Sequence, residues 1–384
     1  MTLQELLSNE DLRHREFPVT RNQIFLAHAA VAPLPHRVAE AIRSYASGAT
    51  DADQEEQVPA ALIAQTRSQA ARLIGAAPGE IALVGPTSLG LSLVAAGFPW
   101  ESGDNVLIYG EDYPSNVYPW RALAARNVET RFLRTPALGL IRTEDILTQV
   151  DTRTRLVALA SCHFIAGSRI DLDAIGAALR ERNIRFCVDA IQTLGAFPTS
   201  AVHLDFLAAD AHKWLLGPCA AGILFVRRSV QAELRPAVFG WHNVACPEFI
   251  AQNHLRLRTD ARRYEAGSHN LLGMVGLHAA LALLLELGLD QISAELLRKR
   301  TLLVPALERR GFQVLHPELP PELASAIVAF SRQGTDMAVL HQKLRKAGIV
   351  TSLRTDRERR RYIRVSPHFY NTDEELQRFL YAAS

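Results

Sequence analysis

The chain has 384 residues, 48% of them hydrophobic and 21% charged, a globular composition too long for a single hydrophobic core. Its formal net charge of +2 gives no reason to expect a nucleic-acid partner. The four cysteines form no CxxC pair and read as inert thiols in a reducing compartment, with no metal site expected.

The first residues, MTLQELLSNEDLRHREF, are polar and lack the apolar region of a signal peptide. No uncharged apolar stretch reaches the about 18 residues of a membrane span. The expectation is a cytoplasmic protein with no membrane association. Short apolar runs alternate with helical patterns after that, which predicts an α/β protein with a mostly parallel, buried sheet. The expected strands are 81–84, 105–109, 156–161, 185–189, 206–209 and 222–226. The expected helices between them are 89–96, 120–125, 172–182 and 191–194. Residues 230–270 read as connecting or site-forming loops. Helices follow at 271–287 and 294–310. The tail alternates strands at 312–315, 326–330 and 362–365 with helices at 337–347 and 372–382, a smaller α+β unit. The expected division is an N-terminal segment 1–40 packing with the small domain, a large domain 41–270, and an interdomain helix with the small domain 271–384. The run Arg357-Glu358-Arg359-Arg360-Arg361 reads as a solvated loop.

The chemistry concentrates at the ends of apolar strands. Asp189 closes Phe186-Cys187-Val188, and ligands of open α/β sheets sit just beyond the carboxyl ends of strands. A carboxylate there is poorly solvated and needs a cationic partner, which a protonated pyridine nitrogen supplies. Lys213 also follows an apolar strand, after the turn Asp210-Ala211-His212. A lysine in a desolvated site loses part of its affinity for protons and becomes able to form an imine. Taken singly, such an Asp is usually a helix cap and such a Lys usually solvated. The junction Val84-Gly85-Pro86-Thr87-Ser88-Leu89-Gly90 has the design of an anion cup, with free backbone N–H groups and two hydroxyls at a helix start. It is neither a Walker A loop nor a GxGxxG turn, which speaks against a nucleotide-binding enzyme.

These residues resemble the class-V aminotransferase group of fold-type I pyridoxal-5′-phosphate (PLP) enzymes, over roughly residues 22–380. The motifs are Ala27-His28-Ala29-Ala30, Gly85-Pro86-Thr87-Ser88-Leu89-Gly90, Asp112-Tyr113-Pro114-Ser115-Asn116, Val188-Asp189-Ala190-Ile191-Gln192, His212-Lys213-Trp214, Tyr264-Glu265-Ala266-Gly267-Ser268 and the segment from Arg364 to Thr372. Each is weak alone, but their order is specific. The resemblance implies a large domain with a mostly parallel seven-stranded sheet between helices, plus a smaller α+β domain. It implies that Lys213 forms the Schiff base, that Asp189 partners the pyridine nitrogen, and that Gln192 donates to the phenolic oxygen. Tyr113 stands where the family places an aromatic ring over the pyridine face. Thr87 and Ser88 would hold the phosphate, and His212 is expected among the cofactor-binding residues. Gly267 and Ser268 look like the segment that reaches the phosphate of a neighbouring subunit, which implies a homodimer with shared active sites. Arg364 looks like the clamp for the α-carboxylate of a small amino-acid substrate, with Arg354 as a substitute. His28 and Trp241 are expected at the substrate pocket, Trp241 from a loop the partner could contribute.

Three departures matter. Phe164 stands where many members carry Asn, so one cofactor hydrogen bond is missing or comes from His163. Asp210 stands where many members have Ser, and a carboxylate beside a phosphate would be repelled, so it is expected to turn toward His212. The segment 350–359, where cysteine desulfurases carry a mobile nucleophilic cysteine, has none. The expectation is therefore a PLP enzyme that is not a cysteine desulfurase proper. A C–S lyase or epimerase-like reaction ranks beside an aminotransferase, and a non-catalytic scaffold is a remote reading because Lys213, Asp189 and Arg364 are all present.

Overall fold

A computed structural model describes residues 1–384. In chain order, β1 (Ile24–Phe25) comes first. Next come β2 (Ile81–Leu83), β3 (Asn105–Ile108), β4 (Glu129–Phe132), β5 (Thr154–Ala160), β6 (Arg185–Asp189), β7 (Phe206–Asp210) and β8 (Gly222–Val226). The C-terminal part holds β9 (Gln313–Val314), β10 (Val328–Ser331), β11 (Ile349–Val350), β12 (Ser352–Thr355) and β13 (Arg361–Val365).

The large sheet has seven strands in the order β2-β8-β7-β6-β5-β3-β4. Only β8 runs against the rest, antiparallel to both β2 and β7; every other pairing is parallel. The carboxyl ends of β2, β3, β5, β6 and β7 therefore share one edge. That edge is where the functional side chains collect. The central residues of β6, β7 and β8 are apolar on both faces because helices cover both sides. One core packs the helix Leu271–Leu287 against one face, and a second packs the helix Thr87–Gly97 against the other. The fold is the α/β architecture expected from the alternating pattern.

A four-stranded antiparallel sheet, β12-β13-β10-β9, forms the smaller unit. β1 pairs in parallel with β11, and Arg13 forms a buried ion pair with Glu375 at 2.7 Å, so the N-terminal segment is anchored to the C-terminal part. No single helix is long and apolar enough to cross a membrane.

Several local expectations differ from the structure. Residues 191–194 form turns, not a helix, and the Ile191 N–H donates to Asp189 Oδ1 at 3.0 Å. The helices His36–Gly48 and Leu62–Ile74 went unread, because alanines and polar residues dilute their apolar stripes. The edge strand β4, Glu-Thr-Arg-Phe, also went unread; its polar, partly exposed side chains suit an edge that must not pair further. The basic run 357–361 is exposed, as expected, and Arg357 donates from it to the Gly110 carbonyl and lies 3.3 Å from Glu111.

Candidate active site

A cavity of about 290 Å³ opens at the carboxyl edge of the large sheet, between that sheet and the β12–β13 hairpin. Asp189 from the end of β6, His212 and Lys213 from the loop after β7, and Thr87 and Ser88 from the turn after β2 all line it. Tyr113 follows β3, Phe164 follows β5, and Arg354 and Arg364 come from β12 and β13. Elements far apart in sequence thus deliver one cluster, as open α/β sheets do.

Lys213 is buried, and no protein group hydrogen-bonds its ammonium. Burial pushes its pKa down to about 8, a shift that Asp189 partly opposes by favouring the charged form. At pH 7 roughly one lysine in ten would then be neutral, far more than at a solvated site. Asp189 is buried too, and desolvation raises its carboxyl above the usual range. One of its oxygens accepts from Ile191, and Oδ2 has no protein partner. Lys213 Nζ lies 5.4 Å from the Tyr113 ring centroid, and Tyr113 meets Phe164 edge-on at 5.4 Å. Gln192 spans the floor: its Nε2 donates to the Ala29 carbonyl at 3.1 Å and its Oε1 accepts from Trp214 Nε1 at 2.9 Å. One of its two amide hydrogens stays available.

At the other end the helix Thr87–Gly97 begins, and the N–H groups of Thr87 and Ser88 find no backbone acceptor. The turn before it is tight: a Cβ on Gly85 would lie 2.7 Å from the Ala220 carbonyl carbon. Ser88 Oγ donates to Ser115 Oγ at 2.8 Å, and Thr87 Oγ1 accepts from the Asp210 N–H at 2.9 Å. Ser115 lines the cavity as well, which its motif alone does not single out. Asp210 does turn to His212, accepting from Nδ1 at 2.7 Å.

Arg364 is fully buried, and burial, with Arg354 nearby, pushes its pKa down to about 9. It donates to the Phe164 carbonyl and, at 3.4 Å, to Ser352 Oγ. Its Nε is buried without a partner, and so is Nε of Arg354. Neither guanidinium has a carboxylate within ion-pair distance. Two guanidiniums without a carboxylate partner therefore line one cavity, an arrangement that can pair with an anionic group.

Other expected residues lie elsewhere. His28 is fully buried beneath the cavity rather than in its wall: Nδ1 donates to the Ser366 carbonyl at 2.9 Å, and Nε2 accepts from the Tyr370 hydroxyl at 2.6 Å. Both nitrogens are used inside the protein, and burial lowers its pKa to about 3. His163 cannot replace the missing Asn, because its Nε2 donates to the Glu111 carbonyl and its Nδ1 accepts from the Ala166 N–H. Trp241, Gly267 and Ser268 are exposed and do not line the cavity of their own chain. The loop carrying Gly267 and Ser268 is clamped from below: His269 Nε2 lies 3.0 Å from Glu265 Oε2, and Glu265 pairs with buried Arg67. His242 Nδ1 lies 3.6 Å from the same oxygen.

The aminotransferase class-V profile matches residues 24–379. A probable cysteine desulfurase of Methanothermobacter thermautotrophicus is 26% identical, over 97% of this chain and 96% of its own. A cysteine desulfurase of Salmonella typhimurium is 31% identical over 59% of this chain and 57% of its own. Among solved structures, the apo cysteine desulfurase of Thermococcus onnurineus superposes with a TM-score of 0.88 at 22% identity, covering 97% of this chain and 96% of that one. The cystine C–S lyase C-DES, in complex with its product cysteine persulfide, gives 0.86 at 24% identity, covering 96% and 99%. With a carboxylate, a lysine and an anion cup at the sheet edge, and with the family profile spanning nearly the whole sequence, the chain belongs to the class-V aminotransferase family of PLP-dependent enzymes.

Proposed function

We propose that the protein is a C–S lyase for a sulfur amino acid carrying a second anionic group remote from Cα, with the two carboxylates of cystine as the type. The carrying observation is the pair of unpaired guanidiniums, Arg354 and Arg364, facing one cavity. A relative in the fold, C-DES, is by its own description a cystine C–S lyase. The cysteine inventory supports release of sulfur to solution rather than transfer to a protein thiol. No cysteine lines the cavity, and burial pushes the Cys162 thiol up to about 11. The relatives named cysteine desulfurases frame the alternative that the test below separates.

The residues present fit PLP. Asp189 Oδ2 lacks a protein partner beside the buried Lys213 amine, and the N–H groups at the Thr87 helix start await an anion. When bound, the cofactor supplies an electron sink for bonds at the substrate Cα. Asp189 would keep the pyridine nitrogen protonated, and Lys213 would hold the cofactor's carbonyl carbon and carry a proton to or from Cα. Tyr113 would cover one face of the ring. Thr87, Ser88 and His212 would hold the phosphate. Arg364 would grip the α-carboxylate bidentately and fix the orientation of the Cα bonds, while Arg354 takes the distal carboxylate.

A second copy of the chain would complete the site. Gly267, Ser268 and Trp241 are exposed, and Phe239, Phe249 and Ile250 lie exposed near Trp241 in sequence, a surface suited to burial in a homodimer.

The test is an absorption spectrum of the purified protein with PLP, followed by cystine and cysteine. A visible band, pyruvate release from cystine and a persulfide in solution are expected. Pyruvate-free conversion of an amino donor that requires a 2-oxo acid would refute the lyase. Alanine from cysteine with sulfur retained on the protein would refute the sulfur-release step.

A further inference from the structure

Asp210 closes β7 and is almost wholly buried. Its Oδ2 accepts from His212 Nδ1 at 2.7 Å and from the Ala220 N–H at 3.0 Å. Its Oδ1 is buried with no partner at all. No arginine or lysine pairs with it; His212 is its one ion-pair partner. A buried carboxylate this poorly satisfied is costly unless its charge is used. The chain uses it at the anion end of the cavity: the Asp210 backbone N–H also binds Thr87 Oγ1, so carboxylate, imidazole and helix start are held as one unit. Because Nδ1 donates to Asp210, the proton on that nitrogen is fixed. Nε2, on a ring that lines the cavity, has no protein partner.

We propose that Asp210 acts through His212 as a positioning residue for phosphate: the dyad is the counter-ion of a phosphate monoester seated at the Thr87 helix start. With both ring nitrogens protonated, the imidazolium lies between two anions and neutralises each, which strengthens both hydrogen bonds. Direct repulsion between Asp210 and phosphate is thereby turned into an alignment of charges, minus, plus, minus. This role rests on the PLP reading above and concerns only the phosphate end of that ligand.

The test compares ligands with and without phosphate. PLP and pyridoxal are titrated into apoprotein of the wild type, Asp210→Asn, His212→Gln and the double variant, following the visible band. The expected result is a roughly tenfold weaker Kd for PLP in Asp210→Asn, with pyridoxal unchanged. The effect should vanish in the His212→Gln background, the signature of one residue acting through another. The ³¹P resonance of bound PLP should also shift in Asp210→Asn. Equal losses for both ligands would mean a merely structural role and overturn the proposal, as would an undiminished effect in the His212→Gln background. Should Asp210→Asn fail to fold, Asp210→Ala, which also removes the carboxylate and adds no donor, carries the same expectation. If the wild type forms no band with either ligand, the cofactor reading itself falls and takes this one with it; a wild-type band with unaltered variants overturns the dyad alone.

Discussion

Replacing Arg354 with Met removes one of two guanidiniums while keeping most of the side chain's apolar length. The structure sets two opposing consequences. Arg354 helps to lower the Arg364 pKa toward about 9, so its removal relieves repulsion and firms the Arg364 charge. Its own Nε is buried without a partner, so no internal ion pair is broken. What is lost is a charge-assisted contact to the distal carboxylate, worth about 1.5–3 kcal/mol. That corresponds to a fall of about 10- to 150-fold in kcat/KM for cystine. For S-methylcysteine, which has no distal carboxylate, kcat/KM should stay level or rise slightly. Pyruvate release in a coupled assay reads both. Equal falls for the two substrates would show that Arg354 serves the α-carboxylate or the fold, and the two-anion reading of the cavity would be abandoned. Arg364→Met, by contrast, should depress both substrates together.

Three further outcomes follow from the same geometry. Lys213→Ala should lose the visible band of the lysine-bound cofactor and its turnover; a variant that retains both would move the imine to another residue. Glu265→Gln breaks the buried pair with Arg67 and should cost about 3–5 kcal/mol, seen as a lower urea midpoint at unchanged m-value; an unchanged midpoint would mean that the pair is dispensable. Acid should weaken the fold in stages. His28 falls from 6.5 to about 3, and Glu265 from 4.5 to about 2. Both folded-state values lie below the unfolded ones, so each contribution is complete above its unfolded pKa and is lost as pH drops toward the folded one. Burial raises Asp112 to about 7, which opposes this loss over the same range, so His28 is read from a difference: the destabilisation on going from pH 6.5 to 4 in urea unfolding should be smaller in His28→Gln than in the wild type, and equal slopes would contradict the placement of His28.

The parts of the site legible in sequence are those whose position is fixed locally. Asp189 and Lys213 follow apolar strands, and a polar group at such a strand end falls on the ligand edge whatever the rest of the chain does. Thr87 and Ser88 open a helix directly after β2, so their placement follows from the same junction. Histidines were harder. His28 and His163 stand in motif-rich segments, yet each ring is spent on partners that sequence cannot show: Ser366 and Tyr370 lie across the fold from His28, and the Glu111 carbonyl is far along the chain from His163. A ring nitrogen is free for chemistry only when tertiary packing leaves it so, as His212 shows beside them.

The same division explains the elements. β6, β7 and β8 were readable because burial on both faces makes their central residues an unbroken apolar run, while β1 and β11 are two-residue strands defined only by their pairing with each other across the chain. Arg354 and Arg364 sit between these cases. Their neighbourhood on paired strands is local, but their meaning depends on what does not approach them. Arg364 is buried and Arg354 half-buried, both line the cavity, and neither has a carboxylate partner within the chain. The absence of a protein carboxylate, visible only in the folded chain, is what supports the proposed second anionic group on the substrate.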